Sequence, residues 1–189
     1  MMELINGGGV TSADGFTAGG TYAGLKTETD SLDLGILLSD RKANAAATFT
    51  SNSIESPSVT ASRQRLRKGF ARGIVANSGC ANCSVGEQGY TDAEEMASLA
   101  AAHASVLASE LFVASTGMIG VELPMALIRQ NITNITLRSD GGTDFARCLM
   151  TTDSKHKQRA VSFIHGGRTV TVGGAAKGVG MIHPNMATM

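Results

Sequence analysis

The chain has 189 residues, with 16 Lys and Arg against 16 Asp and Glu, and this zero net charge leaves no electrostatic footprint for nucleic acid or an anionic membrane. Hydrophobic residues at 42% against 17% charged exclude a disordered chain, and no apolar run reaches the roughly 18 residues that span a bilayer. Met1–Asn6 is acidic and poor in apolar residues, unlike a secretory signal, so the three cysteines are expected as reduced thiols in a cytoplasmic protein.

The stretch from Asn6 to Gly20 is dense in glycine and small polar residues and reads as turns and short extended pieces. Asp33–Ser39 and Asn44–Thr50 follow as strands around a turn at Asp40-Arg41-Lys42. Arg72–Ala76 is a short buried strand running into a polar loop, Asn77–Cys83. The spacing predicts a helix from Thr91, where Thr91 and Glu94 match a capping box, with Met96, Leu99, Ala100, His103, Val106 and Leu107 as one apolar stripe ending near Glu110. Leu111–Ser115 is the next strand. Pro124 suits the first turn of a helix through Arg129, and Thr143–Arg147 opens a third helix. Gly166-Gly167 joins Ala160–His165 to Arg168–Val172 as a hairpin. The fold class expected is α/β, a mixed α+β single domain over residues 1–189.

Several motifs weigh less than they first seem. Gly173 to Gly178 has phosphate-loop spacing, but Val179 stands where Lys is required. Gly7 to Gly20 lacks the strand before and helix after that a dinucleotide fingerprint needs. Cys80-x-x-Cys83 has no second pair; Cys148, His103, His156, His165 and His183 are scattered, so two buried or half-buried thiols and no metal site are expected. The sequons at Asn131 and Asn134 carry little weight without a secretory route.

Two segments hold more chemistry. Ser115-Thr116-Gly117 ends a strand in a flexible glycine, where backbone amides can converge on an oxygen. Near the end, Ala187-Thr188 is a small residue before a hydroxyl, an arrangement that tolerates attack of the hydroxyl on the preceding carbonyl. A Thr freed in that way carries its own base, because an α-amine titrates near pH 7.7–8.0. Chemistry alone leaves this as one reading among many for an Ala-Thr pair.

Six segments, in order, then resemble one family: GFTAGGTYAGLK, AAATFTSN, NSGCANCSVGEQG, STGMIG, CLMTTD and KGVGMIHPNMATM. The chain is similar along essentially its whole length to the α half of ornithine acetyltransferase precursors, the glutamate N-acetyltransferases of arginine biosynthesis. The resemblance implies the αββα layered architecture shared with certain self-processing aminopeptidases. It also implies self-cleavage between Ala187 and Thr188, into α and β chains that stay together as a heterotetramer of two α and two β. Thr188 would then be the nucleophile, taking acetyl from N-acetylornithine and passing it to glutamate. Thr116 and Gly117 would form the oxyanion hole. Lys177, Thr188 and one of Thr151 and Thr152 would hold substrate. No cofactor or metal is implied, and acetyl-CoA stands open as a further acetyl donor. The family often has Asn at position 80 and Ala at 83, where this chain has cysteines. Without the β half, the chain alone is expected to be inactive. A self-processing Thr peptidase or amidase acting on water, and a non-catalytic binding module, are the competing readings.

Overall fold

A computed structural model describes residues 1–27, 31–179 and 185–188 of the chain. In chain order its elements are β1 (Met2–Ile5), β2 (Phe16–Thr21), β3 (Leu34–Asn44), α1 (Pro57–Leu66), β4 (Phe70–Cys80), α2 (Gly86–Ala104), β5 (Leu111–Met118), α3 (Met125–Asn131), α4 (Gly142–Cys148), β6 (Lys157–His165) and β7 (Arg168–Ala176). They build two sheets, β2-β3-β4-β5 and β1-β6-β7. All neighbouring strands run antiparallel except β4 and β5, which α2 joins as a parallel crossover. Among the described residues, no helix is long and apolar enough to cross a membrane.

Alternation along the strands explains why helices cover both faces of the larger sheet. Leu34 and Ile36 of β3, Val75 of β4, and Leu111 and Val113 of β5 share one core with Ala93, Met96, Ala97 and Ala100 of α2 and Ile128 of α3. The intervening residues Leu37, Ile74, Ala76 and Ala114 point the other way, onto Phe145 of α4 and Leu149. A strand buried on both faces reads as a nearly continuous apolar run, as RGIVA does.

The hairpin forms as expected, with Gly166 and Gly167 at φ 57° and 75°, the left-handed pair that a tight two-residue turn requires. The helix at Thr143 runs Gly142–Cys148, and Pro124 stands immediately before α3.

Other expectations are corrected. No strand covers Asn44–Thr50; β3 instead continues through Asp40-Arg41-Lys42 to Asn44. Its pairing with β4 slips between Leu38 and Ala43, so the polar triplet is a bulge inside one strand rather than a turn between two. Lys42 stays on the sheet, pairing with the buried Glu110 at 3.0 Å. The long helix starts at Gly86, five residues before Thr91, so the capping box does not exist. Thr91 Oγ1 donates within the helix to the Glu87 carbonyl at 3.5 Å, and Glu94 turns to Arg65. The helix stops at Ala104, because Ser105 takes a left-handed φ of 54°, and Leu107 is exposed. The loop at Asn77–Cys83 is in its first four residues the end of β4.

Helix α1 carries no sequence signal of the usual kind. Ser56 caps it and Pro57 opens it, yet its buried positions are Ser58, Ala61, Ser62 and Arg65. That spacing is helical, but the face is small and polar. Ser62 Oγ takes the Val113 N–H at 2.9 Å and donates to the Val113 carbonyl at 2.7 Å. Arg65 makes two 2.9 Å hydrogen bonds to Glu94. The helix docks by hydrogen bonding where an apolar stripe would be expected.

Candidate active site

The parallel pair β4–β5 ends in an irregular register. Gly79 lies opposite Gly117, and Cys80 then faces both Thr116 and Met118. Gly117 has φ 133° and Gly79 φ 108°. A Cβ on Gly117 would stand 2.3 Å from the Gly79 carbonyl carbon, and one on Gly79 would stand 2.4 Å from the Leu25 carbonyl oxygen. Only glycine admits this approach of three backbone segments. Thr116 is half-buried beside it, and the preceding Ser115 is tied to α1 through a 2.9 Å contact with Ser58 Oγ.

Two buried carboxylates fix the surrounding loops. Asp33 is fully buried and accepts the N–H groups of Ala23 at 2.7 Å, Leu25 at 2.7 Å and Lys26 at 3.1 Å. Its own carbonyl accepts Ser78 N–H at 2.8 Å, so one residue couples the 23–27 loop to the end of β4. Lys26 Nζ donates to the Leu32 carbonyl at 2.9 Å and Ser31 Oγ at 3.3 Å.

Asp153 has a fully buried side chain that accepts Thr151 N–H at 3.1 Å, Gly178 N–H at 3.0 Å and the Lys157 ammonium. Burial pushes its carboxyl up, but the Lys157 hydrogen bond, the two amides and the Lys157 charge together outweigh it and hold the pKa at about 2. The anion therefore ties the Thr151–Thr152 loop to the strand exit that carries Lys177. Below them, burial pushes the Cys148 thiol up to about 12, and its Sγ donates to the Leu34 carbonyl at 3.3 Å. It packs where any side chain on Gly20 would have to go.

Leu25, Lys26, Thr27, Gly79, Thr116, Gly117, Met118, Thr151, Thr152 and Lys177 together line a cavity of about 430 Å³, within the range of small-molecule sites. Thr116, Gly117, Thr151, Thr152 and Lys177, singled out from the sequence, thus converge from three separate stretches of chain. Among the described residues, two lysines and no carboxylate line the space, which suits an anionic group such as an amino-acid carboxylate. Lys26, Thr27, Gly79 and Met118 were missed, and so were the positioning roles of Asp33 and Asp153. Lys26 and Asp153 sit inside the segments GFTAGGTYAGLK and CLMTTD, but nothing in residue spacing marks them.

Ala187 and Thr188 are elsewhere. They do not line the cavity; Asn185–Thr188 lies instead along Thr50–Asn52, with Ser51 Oγ donating to the Met186 carbonyl at 2.9 Å and Asn52 Nδ2 to the Ala187 carbonyl at 3.0 Å. His183 and the intervening part of the junction, residues 180–184, lie outside the described residues. The three cysteines are free and buried, as expected. Burial also raises the Cys80 pKa, and its Sγ donates to the Val121 carbonyl at 3.0 Å. Among the described residues, no three His, Cys, Asp or Glu side chains group closely enough to hold a metal ion.

Known proteins are similar to this chain in sequence and fold. The ArgJ family matches residues 17–189. The arginine biosynthesis bifunctional protein ArgJ of Dehalococcoides mccartyi is 43% identical over 189 residues, covering 100% of this chain and 47% of that protein. Its counterpart in Caldanaerobacter subterraneus subsp. tengcongensis is 42% identical over 190 residues, covering 100% and 46%. The chain thus spans about half the length of the curated relatives it matches. Among solved structures, ArgJ from Bacillus halodurans superposes with a TM-score of 0.93 at 34% identity, over 98% of this chain and 97% of that one. Ornithine acetyltransferase from Mycobacterium tuberculosis, complexed with ornithine, superposes at 0.87 and 34%, over 97% and 98%. The layered α/β fold implied by the resemblance is the fold of this chain.

Proposed function

The chain belongs to the ArgJ family, and on that premise we propose that it is the α half of a precursor that cuts itself between Ala187 and Thr188 and transfers acetyl groups in arginine biosynthesis. In this reading Thr188 becomes the first residue of the β chain. Its hydroxyl, with its own α-amine as base, takes acetyl from N-acetylornithine and hands it to glutamate. The observation that carries the proposal is the convergence of Thr116, Gly117, Thr151, Thr152 and Lys177 on one cavity.

Each residue has work suited to its chemistry. Thr116 and Gly117 stabilise the oxyanion that forms on the acetyl carbon, at a glycine bulge rigid enough to be pre-aimed. Lys177 holds the substrate carboxylate as a point charge, and the Thr151–Thr152 hydroxyls supply directional hydrogen bonds. Acetyl-CoA as a second acetyl donor belongs to the same proposal, supported by the word bifunctional in the relatives' names. So do a cytoplasmic location and assembly of two α with two β chains. A partner chain over the cavity mouth is supported by four exposed apolar side chains on its flanking segments, Met118 (63%), Ile119 (48%), Val121 (45%) and Val179 (49%).

The test uses the full-length precursor. Thr188→Ala should stay as one uncut species by intact mass and should transfer no acetyl from N-acetylornithine to glutamate. Transfer that survives in T188A refutes the nucleophile. Acetyl released only to water in the presence of glutamate would move the assignment to a hydrolase.

A further inference from the structure

We propose that Asn52 is a catalytic residue of the self-cleavage step, donating through Nδ2 to the oxyanion that forms on the Ala187 carbonyl; this rests on the reading that Thr188 cuts the chain. The amide is held in one orientation. Its Oδ1 accepts Ile54 N–H at 2.9 Å, which leaves Nδ2 as the end facing Ala187 O, 3.0 Å away. The residues on either side are also gripped at their carbonyls. Met186 O accepts from Ser51 N and Ser51 Oγ, and Thr50 Oγ1 lies within hydrogen-bonding distance of Met186 O and Thr188 O. The turn entering the junction holds Asn185 at φ 53° and Met186 at φ 58°, left-handed values unfavourable for a Met. A strained turn, clamped neighbours and one aimed donor surround the carbonyl that must be attacked.

The chemistry balances without a co-reactant other than water. Thr188 Oγ adds to the Ala187 carbonyl carbon and its proton passes to the Thr188 nitrogen. The C–N bond then breaks, leaving an ester from Ala187 to Thr188 Oγ and a free α-amine. Water adds to that ester carbon, and Thr188 Oγ departs with a proton, so Ala187 ends as a carboxylate. The carbonyl oxygen carries negative charge in both tetrahedral species, and Asn52 Nδ2 sits where that charge develops. Thr116 and Gly117 line the cavity and Asn52 does not, so cleavage and acetyl transfer use different oxyanion donors.

The experiment follows cutting of the full-length precursor by intact mass over time, with Tm measured on each variant. Asn52→Ala should cut about 100-fold more slowly than the parent, the loss expected for one oxyanion donor, with Tm within a few degrees. A parent that never cuts refutes the self-cleavage reading itself. A parent that cuts, a T188A that does not, and an N52A that cuts at the parental rate overturn the role of Asn52 alone. Should N52A fail to fold, N52D keeps the shape and replaces the donor by an acceptor. Uncut N52D supports the proposal, and parental cutting in N52D overturns it.

Discussion

The cavity and the junction are built from the same kinds of residue and held in opposite ways. Around the cavity, two fully buried carboxylates gather backbone N–H groups, Asp33 those of Ala23, Leu25 and Lys26 and Asp153 those of Thr151 and Gly178, and two glycines let β4, β5 and the 23–27 loop meet at backbone distance. At the junction, Asn185–Thr188 is exposed and rests on Thr50–Asn52 through hydrogen bonds to its carbonyls, entered by two left-handed residues. Buried ionic acceptors in a low dielectric resist rearrangement, whereas exposed neutral hydrogen bonds exchange with water at little net cost. On the proposed reading, the first region stays as it is through many turnovers and the second is held once and released.

That contrast breaks first at Gly117. A Gly117→Ala methyl meets the Gly79 and Cys80 backbone at 2.3 and 2.6 Å, at a φ that alanine disfavours. The expected loss is about 3–5 kcal/mol in urea unfolding, together with acetyl transfer reduced by at least about 100-fold. A G117A protein of parental stability would show that the strands part more easily than the geometry requires. Asp33→Ala comes next. It leaves three N–H groups, one buried and two partly so, without their acceptor, for a loss of about 3 kcal/mol. Hydrogen exchange at Ala23, Leu25 and Lys26 should rise more than at Leu34 or Val75. Equal protection of the loop in D33A would remove Asp33 as its anchor.

How much of this could be read from the sequence depended on whether a contact is local. The Gly166-Gly167 hairpin, the α4 helix and the RGIVA strand each carry their instruction in adjacent residues. Helix α1 does not: its docking face of Ser58, Ala61, Ser62 and Arg65 is polar because β5 offers Ser58 and Ser62 hydroxyl and backbone partners 50 or more positions away, and α2 offers Glu94 to Arg65. The capping box at Thr91 misled for the converse reason. Glu94 has a better partner in Arg65 across the helix interface, and tertiary pairing overrides a local cap. In the candidate site, Thr116, Gly117, Thr151, Thr152 and Lys177 were legible through the family segments that contain them, whereas Lys26, Thr27, Gly79 and Met118 were not singled out. Asp33 and Asp153, which arrange those residues, were not, because an aspartate that collects distant amides looks in sequence like any turn aspartate.

The smallest expected effect is the most specific to the cavity walls. Asp153 has a folded-state pKa of about 2 against an ordinary 3.8, so the folded protein binds its proton more weakly than the unfolded chain does. The stabilisation is therefore complete above about pH 4 and fades as the pH falls through that window towards 2. Other carboxylates are also held low, Glu95 first by its hydrogen bond with Arg129 and Glu110 first by its hydrogen bond with Lys42. Acid will therefore weaken any variant. The informative quantity is the difference in Tm between the parent and Asp153→Asn, which keeps the shape and removes the charge. That difference should be constant from pH 7 to pH 5, narrow between pH 4 and pH 2, and be least at the acid end. A gap that persists unchanged at pH 2 would mean that the side chain acts by shape alone, and that the Thr151 and Lys177 walls are not joined by an anion.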